Sequence, residues 1–339
     1  NGISGSVIHP GQKLVVRPMP GLGSRERVRR APDGQDWSVL DVAIPGVQRI
    51  GTANGPYYYE APKASYQKHT KYLEESVISA PVAYRHARKL WNAFVKEVDQ
   101  MDRLGSDLAG WHFVLDPGHG GIDPGTTVQA KDSEGKTFTI VEDEYVYDIS
   151  LRVYVLLRLH GAEVTMTLLS PNHLVRQNTP VTNTFIHDRN EVFNSASWNR
   201  KDRPGAWPRG GQKYLNARID VARHAFKGVP ENRRVFLSFH ADNVPALGEA
   251  VSLLYQKNRY GTDTVSRGLA KELLPALGAG ARMKGQDLGV LRSNPARFKL
   301  LVEMRNLAYE DHIWAIRYEK LRQRDAEKVV QALLQSLGD

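Results

Sequence analysis

Four residues of this 339-residue chain, His119, Glu142, His240 and Glu303, are of types that can bind a metal or move a proton, and each follows an apolar stretch of the chain. His119 lies in the loop Asp116-Pro117-Gly118-His119-Gly120-Gly121-Ile122-Asp123-Pro124-Gly125, directly after the apolar run Phe113-Val114-Leu115. Prolines fix φ and glycines permit φ > 0, so such a loop can be stiff, tight and uncrowded around the imidazole. At the end of a strand, this is where a sheet enzyme displays a reactive side chain. An isolated histidine would be incidental to a surface turn; turn residues this dense, in register with a strand, argue for display. His240 closes a second apolar run, Val235-Phe236-Leu237-Ser238-Phe239, before the small polar residues Ala241-Asp242-Asn243. Glu303 closes a third, Leu300-Leu301-Val302, where a carboxylate is costly to bury unless paired or engaged. Glu142 belongs to the cluster Glu142-Asp143-Glu144, just before the helical pattern that runs from Tyr145 to Leu159. Carboxylates there also have a plain explanation, because they favour the positive end of a helix and cap its free N–H groups.

The elements that must position these residues alternate strand and helix from Trp111 onward, as in an α/β sheet with covered faces. The pattern predicts strands at 112–116, 163–168, 234–239, 250–255, 287–291 and 299–303, and helices at 143–159, 213–226, 262–277 and 310–336. The expected fold is therefore a mixed, mostly parallel sheet of about six strands with helices on both faces. Residues 171–212 fit neither period. They are polar, with Trp198, Trp207, His187, Asp188 and Glu191 among them, and too long for an ordinary connection. They read either as a lid that controls access to the site or as an inert insertion.

These stretches together resemble the zinc-dependent N-acetylmuramoyl-L-alanine amidases of the Amidase_3 type. Leu115 to Gly125 is similar to the first zinc motif of that family. Ser238-Phe239-His240-Ala241-Asp242 is similar to the motif that supplies its second histidine. Leu301-Val302-Glu303 matches the strand that ends in its catalytic glutamate. The family also has a zinc-binding Glu opening the helix after the first motif, with apolar residues at fixed positions beyond it. Counted from Glu142, those positions are Tyr147, Ile149, Leu151 and Val153, with Arg152 where Arg or Lys is common, which favours Glu142 over Glu144. Weaker echoes are Tyr214-Leu215-Asn216-Ala217-Arg218, Gly248 to Tyr255, and Asp287 to Arg292. After Glu303 the chain departs, with Arg305-Asn306 in place of the usual Gly-Phe.

The resemblance spans residues 112 to about 335 and implies one Zn2+ per chain, bound by His119, Glu142 and His240. Three N/O ligands leave the fourth position to water, as in hydrolytic zinc sites generally. Glu303 would then be a non-ligand carboxylate that takes a proton from water and returns it to the leaving amine. The implied substrate is peptidoglycan or a muropeptide, cut between N-acetylmuramic acid and the L-alanine of the stem peptide. The implied location is extracytoplasmic, with an activator or regulator protein as a possible partner. Two other readings stand beside this one: a catalytically inactive cell-wall-binding protein on the amidase scaffold, and a zinc peptidase acting on soluble peptides.

Composition sets outer bounds. A hydrophobic fraction of 41% and a charged fraction of 24% are those of a globular protein, and no apolar run approaches the roughly 18 residues of a membrane helix. The absence of cysteine excludes disulfides and thiolate metal sites. A net charge of +9 is spread rather than blocked, so no nucleic-acid partner is expected, while an anionic wall polymer would suit it. The N-terminus reads neither as a translation start nor as a signal peptide, and a processed or trimmed chain is expected. Ahead of the catalytic domain, expected at 108–339, lie two further regions. Residues 1–18 resemble the closing third of a LysM repeat, a glycan-binding module, and 19–107 carry short strands followed by an amphipathic helix at 81–104.

Overall fold

The computed structural model describes residues 91–120, 125–131, 137–168 and 212–338, apart from 93, 97 and 318. The LysM-like stretch at 1–18, the strands of 19–66 and residues 171–211 of the expected insertion lie outside them. The strands are β1 (His112–Pro117), β2 (Thr127–Lys131), β3 (Thr137–Val141), β4 (Glu163–Met166), β5 (Arg234–Asp242), β6 (Ser252–Asn258), β7 (Gly261–Thr262), β8 (Arg282–Gln286) and β9 (Phe298–Asn306). The helices are α1 (Glu142–Leu159), α2 (Gln212–Ala225), α3 (Thr264–Leu277), α4 (Gly289–Arg292), α5 (Glu310–Arg317) and α6 (Glu319–Leu337).

Seven strands make one sheet in the order β4-β1-β5-β9-β6-β7, with β8 paired to β6. β4, β1, β5 and β9 run parallel, whereas β6 is antiparallel to β9. The sheet is thus the mixed, mostly parallel α/β one expected. Its strands are apolar on both sides because both faces are covered. Phe113, Leu115, Leu237, Phe239, Leu300 and Val302 join Tyr145, Ile149 and Val153 of α1, and Leu269, Leu273, Val329 and Leu333 of α3 and α6, in the larger core. The alternate positions Val114, Phe236, Leu254 and Leu301 face the smaller core, with Ala222 of α2 and Val290 and Leu291 of α4. This two-residue alternation decides where the site lies. His240 and Glu303 share the parity of Phe236 and Leu301, so they project at the C-terminal ends of the parallel strands on the α2 side.

Two expectations need correction, and one element was not expected. The strand expected at 287–291 lies earlier, at Arg282–Gln286, and Val290 and Leu291 belong to α4. Their apolar side chains enter the smaller core from a helical turn, while the true strand pairs on one side only, with β6, and needs no apolar run. The stretch between Thr126 and Glu142 carries an antiparallel hairpin, β2 with β3. The helix expected to reach 104 is over by residue 100. There the chain leaves helical geometry to cap α1, with Leu104 N and Gly105 N both donating to Leu159 O, at 2.9 and 3.3 Å.

Candidate metal centre

Gly118 continues the register of β1 by donating its N–H to Phe239 O at 2.8 Å, which brings the His119 loop alongside the end of β5. A Cβ on Gly118 would stand 2.4–2.6 Å from atoms of the His240 ring, so only glycine allows this approach. His119 itself adopts φ 63°, the one positive φ among described residues other than glycine. An L side chain there is held under strain, and such strain persists only where surroundings over-determine it. The surroundings are Arg218 and Asp116. Arg218 of α2 donates through Nη2 to His119 O, and through Nη1 to Pro117 O and Asp116 Oδ1, both at 2.6 Å. Asp116 also accepts from Thr167 Oγ1 at 2.6 Å and from Ser238 Oγ at 2.7 Å. Asp116 and Arg218 are both buried, and the hydroxyls satisfy the carboxylate beyond the ion pair.

Glu142 is the first residue of α1 and is buried. Its Oε2 accepts from Thr126 N at 2.7 Å and lies 3.4 Å from His119 Nε2. Its Oε1 accepts from Ala241 N at 2.9 Å and lies 3.1 Å from His240 Nδ1. The two imidazole rings stand edge to face, 4.9 Å between centroids. Gly125, at φ 70°, closes the cradle: a Cβ there would lie 2.6 Å from both Glu142 Oε2 and His119 Cδ2. Burial alone would push the Glu142 carboxyl up, but the charges and hydrogen bonds of His119 and His240 hold it well below the usual range. Glu142 thus stays an anion, the form in which a carboxylate binds a metal.

One ligand atom from each of His119, Glu142 and His240 lies within 4.8 Å of the others. Donors about 2.1 Å from one tetrahedral ion stand roughly 3.4 Å apart, near the Glu142 separations of 3.4 Å to His119 Nε2 and 3.1 Å to His240 Nδ1. Two imidazoles and a carboxylate, with no thiolate, are also the donor set of hydrolytic zinc sites.

Glu303 comes to the same place from β9. It pairs in register with His240, and a bulge follows, so that Arg305 rather than Met304 faces Ala241. Burial pushes its carboxyl well above the usual range, the charges of Glu142 and Asp242 push the same way, and His119 and the Asp242 N–H oppose them only in part. Its Oε2 is buried with no hydrogen-bond partner among the described residues. The residues that depart from the family pattern are engaged elsewhere. Arg305 holds Asp325 of α6 through two contacts of 2.8 Å. Asn306 donates from Nδ2 to Val244 O at 2.8 Å and Gly248 O at 2.7 Å.

All four residues selected from sequence therefore meet at one end of the sheet. Glu142 rather than Glu144 has its carboxylate shown between the two imidazoles; the Glu144 side chain is outside the described set, as are His187, Asp188 and Glu191. The sequence shows Gly118 and Gly125 as part of an uncrowded loop, Asp116 and Ser238 only as members of motifs and Arg218 only as an echo, and it assigns none of them a partner. A carboxylate at the end of a buried strand needs a cation, and that requirement was the available signal for Asp116 and Arg218.

The family model described as N-acetylmuramoyl-L-alanine amidase, Amidase_3, matches residues 113–335. Among solved structures, AmiC2 of Nostoc punctiforme is 19% identical over 68% of this chain and 98% of its own, with a TM-score of 0.42. The CwlV catalytic domain from Bacillus (Paenibacillus) polymyxa var. colistinus is 18% identical over 67% and 98%, with a TM-score of 0.42. CwlD from Clostridioides difficile, solved in complex with the GerS lipoprotein, is 16% identical over 66% and 96%, with a TM-score of 0.42. No curated protein matches.

Proposed function

The chain belongs to the N-acetylmuramoyl-L-alanine amidase family Amidase_3, peptidoglycan hydrolases that cut the amide between N-acetylmuramic acid and L-alanine, and we propose how its own residues do this. His119, Glu142 and His240 hold one zinc ion, and Glu303 moves the proton. The observation that carries the reading is Glu303 Oε2, a buried carboxyl oxygen with no hydrogen-bond partner among the described residues, beside a three-donor metal cradle.

Zinc held by these three residues would supply Lewis acidity, polarising the scissile carbonyl and making bound water more acidic. The remaining work falls to the chain. Glu303 takes a proton from the water whose oxygen attacks the carbonyl carbon. It then gives that proton to the alanine nitrogen as the C–N bond breaks, leaving a lactyl carboxylate and a free peptide amine. Such a shuttle must hold its proton in one half of the cycle and release it in the other. Burial and the Glu142 and Asp242 charges favour the protonated form, and a dication nearby favours the ionised one. Glu142 orients both imidazoles and is itself fixed by two backbone N–H groups, from Thr126 and Ala241. Arg218 fixes the carbonyl of His119.

We place the protein outside the cytoplasm, where its substrate lies; no helix among the described residues is long and apolar enough to cross a membrane. A regulator protein is proposed on the hazard that unrestrained wall cleavage poses to the cell; the GerS complex speaks for CwlD alone. The test is digestion of purified muropeptides by the zinc-loaded protein, with mass analysis of the ends. Free peptides beginning with L-alanine, and sugars ending in a lactyl carboxylate, are expected. Intact muropeptides would favour an inactive wall-binding scaffold, and cleavage within the peptide would favour a peptidase.

A further inference from the structure

The line of residues that carries His240 and Glu303 continues across the sheet. Glu303 pairs with His240 of β5 on one side and with Ser252 of β6 on the other. Ser252 pairs in turn with Arg282 of β8. Residues paired across strands project to the same face, so His240, Glu303, Ser252 and Arg282 form one row. With neighbouring strands about 4.8 Å apart, the Arg282 backbone lies roughly 10 Å from that of Glu303.

Arg282 is held ready at the end of this row. Its Nε donates to Ser252 Oγ at 3.0 Å, and its backbone N–H to Val251 O at 3.0 Å. Its Nη2 is buried and has no hydrogen-bond partner among the described residues. A buried guanidinium N–H without an acceptor is costly, and a ligand oxygen would relieve that cost. Gly248, at φ 63°, forms the wall beside it, and a Cβ there would stand 3.5 Å from Nη2. The wall is tied to the catalytic strand, because Asn306 at the end of β9 donates to the carbonyls of Val244 and Gly248.

We propose that Arg282 is a specificity residue, which binds a carboxylate on the peptide half of the substrate. The proposal rests on the amidase reading, in which Glu303 protonates the leaving amine, so that the peptide half begins beside Glu303, two strands from Arg282. A guanidinium fork matches a carboxylate in shape as well as charge. A carboxylate on the second residue of the leaving peptide lies roughly 5–7 Å from the scissile nitrogen, within reach of an arginine based about 10 Å from Glu303. The enzyme therefore prefers stem peptides whose second residue is acidic over those in which that carboxylate is amidated.

Two synthetic N-acetylmuramoyl peptides, identical except for a free carboxylate or a carboxamide on the second residue, test this with the zinc-loaded full chain. The wild type should favour the acid by roughly 10- to 100-fold in kcat/KM, the effect of a hydrogen bond to a charged group. Arg282→Gln should bring the ratio close to one, and Arg282→Lys should keep part of it. Equal rates in the wild type, or an Arg282→Gln loss that falls equally on both substrates, would overturn the proposal. Calorimetry with the acidic peptide alone separates the two readings. If neither substrate is cleaved but wild type binds the peptide more tightly than Arg282→Gln, the amidase reading fails and the subsite stands. Equal binding removes the subsite.

Discussion

Arg218 donates to the carbonyl of His119, the one described non-glycine residue with a positive φ, and the same guanidinium group is paired with the buried Asp116. Helix α2 thus fixes the first metal-binding loop through one side chain. Removing Arg218 leaves Asp116 buried without its cation, which costs about 3–5 kcal/mol. Arg218→Met should lose that much stability in urea unfolding. The double variant Asp116→Asn/Arg218→Met should lose clearly less than the two single losses combined, because the residues act as a unit. Additive losses would show that the pair is not coupled.

Gly118 and Gly125 should tolerate no side chain. Gly118→Ala places a Cβ 2.4–2.6 Å from the His240 ring, and Gly125→Ala adds an unfavourable φ of 70° to a 2.6 Å approach to Glu142. Zinc titration should show each variant weakened by at least about 10-fold, the scale of a displaced ligand support, with far-ultraviolet circular dichroism retained. Wild-type affinity in both would mean that the cradle is not the metal site.

Asp148 of α1 should make the fold sensitive to acid. It is buried against Arg152 at 2.8 Å and against Arg322 of α6. Burial alone would raise its carboxyl, but the two guanidinium charges outweigh burial and hold it below the usual range. Its folded pKa is therefore depressed. The stability it contributes is complete above the unfolded carboxylate value, about 3.9, and is lost as pH falls through the lower folded value. Urea midpoints measured from pH 5 down to pH 2 should fall in the wild type and fall less steeply in Asp148→Asn. Parallel curves would place the acid sensitivity elsewhere.

His119, His240 and Glu303 were legible because each follows an apolar run at its break into a polar or glycine-rich stretch, a local signal, whereas Glu142, in an acidic cluster that helix capping alone explains, was singled out only by the family resemblance. The β8 strand was not legible in Arg282-Met283-Lys284-Gly285-Gln286, since an edge strand pairs on one side and need not be apolar. Leu288, Val290 and Leu291 offered the apolar run instead, and they pack from a helical turn. The Asp116–Arg218 clamp joins residues 102 apart in the chain, and the row from His240 to Arg282 exists only through strand pairing. No local period records either relationship. The departure at Arg305-Asn306 was visible in sequence, but its outcome, an ion pair to Asp325 and a brace for the Val244–Gly248 turn, depends on α6 and that turn being nearby.

Metal content and turnover of Glu303→Gln, measured on one zinc-reconstituted sample with muropeptide substrate, test the central claim most directly. The account predicts one zinc per chain, as in the wild type, and product formation reduced by about 10²–10⁴-fold, the usual contribution of general acid–base catalysis. Control samples of His119→Ala and His240→Ala should lose the metal. Near-normal turnover by Glu303→Gln, or loss of its zinc, would contradict the separation of the three residues that hold the metal from the one that moves the proton.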